Sequence, residues 1–456
     1  MRRRTWPGAS LRYRWNSDGS VLITNPILVF HSAYPDRSEV ESIPGLISVW
    51  WDGSSPLLHG LLRASRPSEL YIQDVLLDTA SSTDLPKLQG RAWQAKPVSP
   101  RVREGRSLLV IPSSDTHMHM FEALLGLSDD LAFRVLALKE EGAREAMAVL
   151  GIEVDRIRSG DVGRHFGLLV ANDWGPAEKY WVHRFRKIGT PTACLQESVI
   201  DFGGPARRMR WVDYPLLQGA ASVEPLGRRI VFLTGNPRYE QLRPQAMPRR
   251  RKILINSNFT YGIHEEVRDS WLESVVSACT SERCDYLIAQ HPRDQADLAK
   301  YNRIRSNSGN VQQLLVEHDI LVTRFSSLIH EALALGRPVI YFNPHQETML
   351  YDFEPDGFHL RLVNEAGQLP GAIASALADP SLPDSDPFFE EYCWRHLGSS
   401  DGKASTRVAA AMELMRTLPA DIGDPLPIKG RLASSDYLRW QVRSIGRKLR
   451  SVIRSS

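Results

Sequence analysis

The sequence predicts an α/β fold of two doubly wound parallel sheets, and three observations predict it. From Ser107 onward, short apolar runs alternate with stretches of helical periodicity, the pattern of strand–helix–strand units. A second alternating set begins at Lys252. Between the two sets, residues 237–251 are rich in Pro and Arg and read as an inter-domain linker.

Residues 1–104 read as a strand-rich N-terminal extension. Val21–Ile23, Ile27–Phe30, 46–51 and 70–77 are short strands divided by Gly, Pro, Ser and Asp, and 81–104 is a connector. The Trp50-Trp51 pair reads as core or inter-domain packing, with an exposed sugar platform as the sharper alternative.

The first domain, 105–240, opens with SLLVIP as a buried strand. A helix follows in SSDTHMHMFEALLGL, with Ser114 or Asp115 at its N-cap. FRVLALK is a strand, EEGAREAMAVLGI a helix, GLLVANDWG a strand ending in polar residues, and AEKYWVHRFRKIG a helix closed by Gly189. PTACLQE and RIVFLTGN are strands.

The second domain, 250–418, runs KILINSN as strand, EEVRDSWLESVVSACT as helix and YLIAQ as strand. A strand over 319–323 leads through Ser326-Ser327 to a helix. Its apolar side is Leu328, Ile329, Ala332, Leu333 and Leu335, and Gly336 closes it before the strand VIYF. Periodicity at Val408, Met412 and Met415 makes the last helix.

Residues 419–456 form a basic tail. Leu438, Val442, Ile445, Leu449 and Ile453 recur at spacings of three and four, while Arg439, Arg443, Arg447, Lys448, Arg450 and Arg454 lie off that stripe. Such a helix lies on an anionic membrane, or packs on the protein with its basic side in water.

Composition narrows the class. A chain of 456 residues holds two to three domains, and 42% hydrophobic with 24% charged residues is an ordinary globular balance. A net charge of +3 gives no global nucleic-acid signature. The four cysteines lack CxxC spacing, so neither a zinc site nor a disulfide framework is indicated, and a reducing cytosol is the natural compartment. MRRRTWPG is basic but has no apolar segment after it, which speaks against a signal peptide. No apolar run approaches the ~20 residues of a spanning helix.

Two strand ends carry the informative motifs: His291-Pro292-Arg293 after YLIAQ, and Ser326-Ser327 before a helix with an early Glu331 and the ending ALGRPVI. Hydroxyls at a helix start stand where free N–H groups and the helix dipole favour an anion. This arrangement resembles the C-terminal domain of GT-B glycosyltransferases. It is closest to the capsule, sialic-acid and Kdo transferases of bacterial surface polysaccharides and to the CDP-glycerol glycerophosphotransferases. The resemblance covers about 108–418. It implies two Rossmann-like domains facing across a cleft, the acceptor on the first and the nucleotide donor on the second, with the 388–418 segment crossing back to the first. It also implies metal-independent catalysis with no cofactor beyond the nucleotide-activated donor.

Such a transferase must neutralise a leaving phosphate and deprotonate an acceptor hydroxyl. For the first task the candidates are Ser326, Ser327, His291 and Arg293, with Arg324 beside them and Glu331 on a ribose hydroxyl as the resemblance implies. Asn256 and Asn258 follow the first strand of the second domain, and Gly235 and Asn236 end the last strand of the first. Their plain readings are an N-cap for the serines and turns for the others. For the second task His117, His119 and Glu197 compete. Related proteins carry "QEG" or "QHG" where this chain has LQES, so Ser198 replaces a Gly. Asn172 and Asp173 could meet the acceptor. Glu140-Glu141-Gly142 matches a sialyltransferase motif but reads as a helix start. No metal-binding DxD cluster stands at a strand end, and no GxGxxG or P-loop string is present.

The expected activity is transfer of a sugar from a nucleotide-activated donor to a surface polysaccharide or glycolipid acceptor. The expected location is cytoplasmic, with the tail on the inner face of the membrane. The alternatives are CDP-glycerol-type glycerophosphotransfer, a nucleotide-sugar 2-epimerase of the same fold, and a non-catalytic glycan-binding subunit. The epimerases carry Ser-Gly-Gly where this chain has Phe325-Ser326-Ser327, which counts against them.

Overall fold

Strands buried on both faces must be apolar almost throughout, and they pair in parallel when helices cover both sides. The predicted runs do this. The computed structural model describes residues 13–15, 21–23, 25–31, 34–35, 38, 40, 42–52, 69–73, 90–93, 107–125, 127, 132–135, 162–198, 207–228, 230–260, 262–307, 310–348, 351–378, 387–398, 401–418 and 425–455. It divides into two units, Met1–Glu240 with Asp401–Ser456, and Gln241–Ser400.

In unit 1, β1 (Tyr13–Trp15) and β2 (Val21–Ile23) form an antiparallel pair. Ten strands make the main sheet: β3 (Ile27–Phe30), β4 (Ile47–Trp50), β5 (Leu70–Gln73), β6 (Gly90–Trp93), β7 (Ser107–Ile111), β8 (Ala132–Val135), β9 (His165–Val170), β10 (Thr192–Leu195), β11 (Tyr214–Leu217) and β12 (Ile230–Leu233). Their order is β6-β5-β3-β4-β12-β11-β10-β9-β7-β8, and every pairing is parallel.

Strands β3, β4, β5 and β6 are therefore not a separate extension. They add four strands to the sheet of the first domain, joined where β4 pairs with β12. The seam is aromatic: Phe232 packs on Trp50 at 5.5 Å, Tyr214 at 5.5 Å and Phe30 at 6.2 Å between ring centroids. Trp50 and Trp51 are 2% and 3% exposed, so this pair is core and not a platform.

Helix α1 (Asp115–Leu125) follows β7, and Ser114 caps it by accepting the His117 N–H. Helix α2 (Pro176–Lys187) connects β9 to β10 and ends before Gly189 at φ +73°. Residues 136–161, with the Glu140-Glu141-Gly142 motif and its helix, lie outside the described residues.

Unit 2 has a six-stranded parallel sheet of order β15-β14-β13-β16-β17-β18. The strands are β13 (Lys252–Ser257), β14 (Asp285–Gln290), β15 (Arg303–Arg305), β16 (Ile320–Thr323), β17 (Val339–Phe342) and β18 (Leu360–Val363). Helices α3 (Arg268–Ser281), α4 (Val311–Glu317), α5 (Leu328–Ala334), α6 (Leu369–Ala378) and α7 (Pro387–Tyr392) complete it. Trp271 of α3, 1% exposed, centres the core, and its Nε1–H reaches the Phe342 carbonyl at 3.0 Å.

The chain leaves unit 1 at Glu240 and re-enters it at Asp401. The two points are tied inside unit 1, since the buried Glu240 carboxylate accepts the Ser405 N–H at 2.7 Å and its hydroxyl at 3.0 Å. Helix α8 (Ala404–Met415) then buries Val408, Ala411, Met412 and Met415 in the unit 1 core. Helix α9 (Gly430–Ser455) ends the chain. Among the described residues no helix is long and apolar enough to cross a membrane.

Candidate active site

In an open parallel sheet a ligand lies beyond the strand carboxyl ends, where neighbouring connections turn to opposite sides. In unit 2 that switch lies between β13 and β16, the first and fourth strands of a 3-2-1-4-5-6 order. The predicted hydroxyl and amide residues meet there. Asn256 Nδ2 donates to Thr323 Oγ1 at 3.0 Å and Ser326 Oγ at 3.1 Å, and Ser326 Oγ accepts the Leu328 N–H at 3.2 Å. Ser327 takes the N-cap position without a side-chain cap. Asn258 Nδ2 donates to the Phe325 carbonyl at 2.7 Å, and its buried Oδ1 has no hydrogen-bond partner among the described residues.

His291 follows β14, and its Nδ1 accepts the Arg293 N–H at 3.1 Å. Arg293 is exposed. Arg324 does not serve the strand-end site as a spare cation. It is 3% exposed and bound to Glu347 at 2.7 Å. Glu331 is 1% exposed and accepts from Gln312 Nε2 at 3.1 Å.

In unit 1 the switch lies between β7 and β9. The two rival bases converge beside it: His117 Nε2 stands 3.2 Å from Glu197 Oε2, with the His side chain 3% and the Glu side chain 32% exposed. His117 Nδ1 accepts the Ser113 N–H at 2.9 Å. A ring nitrogen that accepts carries no proton, so in the neutral ring the proton sits on Nε2 and points at Glu197. Burial alone would raise the Glu197 pKa, but His117, through charge and hydrogen bond, and then Arg238 and Arg208 outweigh it. The carboxyl lies below the usual glutamate value. His119, two residues on, is half-exposed and pairs with Glu122 at 3.5 Å, away from this dyad.

The turn carrying Glu197 is held by amides that follow strands directly. Asn236 Nδ2 donates to the carbonyls of Gln196 at 3.0 Å and Glu197 at 3.2 Å, and to Gln218 Oε1 at 3.2 Å; its Oδ1 accepts the Arg238 N–H at 3.0 Å. Gln196 Oε1 accepts the Gln218 N–H at 2.9 Å. Asn236, expected on the nucleotide, is thus 1% exposed and engaged in positioning Glu197. Gly235, at φ +77°, makes the turn before it.

Asn172 Oδ1 accepts the N–H groups of Trp174 and Gly175 and starts α2. Asp173 is fully buried. Its carboxylate accepts the Met209 and Trp211 N–H groups, each at 2.7 Å, yet desolvation raises its pKa to about 6. It braces the 209–211 loop. Sequence reasoning missed Gln196, Gln218, Arg208 and Arg238. The usable signal was a Gln directly after each of two apolar strand runs.

The comparisons agree with this architecture. Residues 271–412 match the family CDP-glycerol:poly(glycerophosphate) glycerophosphotransferase. No curated protein matches the chain. Among solved structures, a Listeria monocytogenes protein assigned as UDP-N-acetylglucosamine 2-epimerase is 13% identical, with 68% of this chain and 96% of that one covered at TM-score 0.50. The Methanocaldococcus jannaschii UDP-GlcNAc 2-epimerase is 10% identical, with coverage of 67% and 99% at 0.46. The wall teichoic acid polymerase TagF is 13% identical, with coverage of 68% and 89% at 0.44. At such identities the structures speak for the fold alone. Residues 271–412 are thus similar to the CDP-glycerol glycerophosphotransferase family, and the two all-parallel α/β units share the fold of the Listeria protein.

Proposed function

We propose that the chain transfers a sugar from a nucleotide-activated donor to a hydroxyl of a surface glycan or glycolipid, with Glu197 as general base. The observation that carries this reading is the His117–Glu197 pair. His117 spends both ring nitrogens, one on the Ser113 N–H and one on Glu197, while Glu197 remains partly exposed and charged. The donor sits in unit 2 against Asn258, His291, Arg293, Ser326 and Ser327. Charge on the leaving phosphate is met there by hydroxyls, imidazole and guanidinium, with no metal or further cofactor required. Glu331, buried like the rest of α5, is tied to Gln312 of α4.

A second reading, transfer of glycerol phosphate from a CDP-linked donor, is favoured by the family match over 271–412. The same base serves it, since both reactions begin with a hydroxyl losing a proton. The acceptor is lipid-linked, and the basic tail attaches the enzyme reversibly to an anionic membrane surface.

The test is turnover and donor affinity of single variants. Glu197→Gln is expected to lower kcat by about 10²–10⁴-fold with donor affinity nearly unchanged. His119→Gln is expected to keep near-normal turnover. Full activity in Glu197→Gln would remove the assignment.

A further inference from the structure

The tail helix has three faces with different surroundings. One docks on α2. Gly430 lies so close to His183 that a Cβ would stand 2.5 Å from Nε2, Ala433 is buried, and Tyr437 stacks on Tyr180 at 4.3 Å and 9°. A second face carries Leu438 and Val442, which are 61% and 62% exposed. In the sequence Ile445, Leu449 and Ile453 continue the spacing of three and four set by these two. A third side carries Arg439 and Arg443, and the sequence continues with Arg447, Arg450 and Arg454. Leu438 and Val442 are therefore not on the packing face. Tyr437 does the docking, and the exposed apolar pair is flanked by Arg439 and Arg443, the pattern of helices that lie in a lipid interface.

The docking also sets a direction. Residue 430 meets 183 and residue 437 meets 180, so α9 runs antiparallel to α2. Helix α2 joins the parallel strands β9 and β10, so it begins at their carboxyl edge with Pro176 and ends at their amino edge with Lys187. Continuing past Tyr437, α9 passes the start of α2 within about one turn. Its last fifteen or so residues extend about 20 Å further, at 1.5 Å per residue. This basic end leaves unit 1 at the edge that carries His117 and Glu197.

We infer that α9 is a membrane-binding arm that orients unit 1, bringing the carboxyl edge of its sheet, and with it the acceptor-side base, toward an anionic lipid surface. This rests on the membrane-attachment reading above and adds the orientation. An acceptor anchored in that surface would then reach Glu197 by lateral diffusion. A purely polyanionic partner would need the cations but not the stripe, which is why a lipid surface is the occupant the observations favour.

Two readouts separate the layers, both on the full-length chain. The first is flotation with vesicles of phosphatidylcholine, alone or with phosphatidylglycerol. Binding is expected only with the anionic lipid and is expected to fall with salt. The pair Leu438→Ser and Val442→Ser should abolish it while leaving thermal unfolding unchanged, because both side chains are exposed. Each of Arg447→Gln and Arg450→Gln should lower partition about fivefold. No flotation of the full-length chain overturns the membrane reading and the orientation with it. Loss of flotation in the arginine variants but not in the Leu438/Val442 pair assigns the arm to a polyanion instead.

The second readout is energy transfer from a dye on Pro176→Cys or on Ile188→Cys to labelled lipid headgroups; the four native cysteines are buried. The 176 label is expected to transfer more strongly. Equal or reversed efficiencies, with flotation intact, would overturn the orientation alone.

Discussion

A carboxylate that accepts a proton-bearing imidazole nitrogen keeps its other lone pairs for a substrate hydroxyl. Glu197 is in that position, and its pKa is lowered by His117, Arg238 and Arg208 against the opposing effect of burial. The acidic limb of a pH–kcat profile should therefore lie below the ordinary glutamate value of 4.5. His117→Ala should move that limb upward, because it removes the largest stabiliser of the charge. A limb unmoved in His117→Ala would show that the imidazole does not tune the base. Neither partner betrays the other in the sequence. They are eighty positions apart, and only the parallel packing of β7, β9 and β10 brings their loops together. The sequence could name both as rivals, and the fold makes one the partner of the other. Asn236 was misread for a related reason. A polar residue after a strand looks the same whether it faces a ligand or braces the next loop.

Among the elements, α5 joins the Ser326-Ser327 loop to a buried imidazole cluster. His330 Nδ1 pairs with the Tyr392 hydroxyl at 2.8 Å, and the Tyr351 hydroxyl joins His330 Nε2 at 3.3 Å to His396 Nδ1 at 2.7 Å. Burial lowers the His396 pKa to about 3, and pushes His330 down as well. In the unfolded chain these rings take protons near 6.5, whereas in the fold they stay neutral. Their stabilisation is complete above about 6.5 and is lost as pH falls from there toward 3. Chemical denaturation from pH 7 to 4 should show this acid destabilisation, with a shallower slope in His396→Gln; identical slopes would contradict it. Just before the first turn of α5, Ser326→Ala with Ser327→Ala should weaken donor binding by about 1–3 kcal/mol by calorimetry, and unchanged affinity would move the donor elsewhere. The helix itself was legible from its apolar spacing and Gly336. β11, β15 and β18 were not, being three or four residues long, one containing Pro215 and one exposed throughout.

For the whole molecule, the doubly wound pattern was legible because parallel strands must be apolar on both faces. The size of the first sheet was not. β3, β4 and β5 were visible as strands, but nothing local says that β4 pairs with β12, some 180 residues later. Phe232 at that seam is fully buried among three aromatic rings, so Phe232→Ala should cost about 3–5 kcal/mol. A loss confined to a few tenths in chemical denaturation would mean that the seam does not bind the two parts of the sheet.

If unit 2 holds a nucleotide-activated donor at its β13–β16 switch, thermal unfolding of the full chain against a panel of CDP-, UDP- and CMP-activated donors detects it. One donor class should raise the unfolding temperature, with a stabilisation of about 2.7 kcal/mol at a hundredfold excess over Kd. The Ser326→Ala, Ser327→Ala variant should lose most of that shift at the same concentration. A chain that no donor stabilises, or a serine variant that keeps the full shift, would contradict the account.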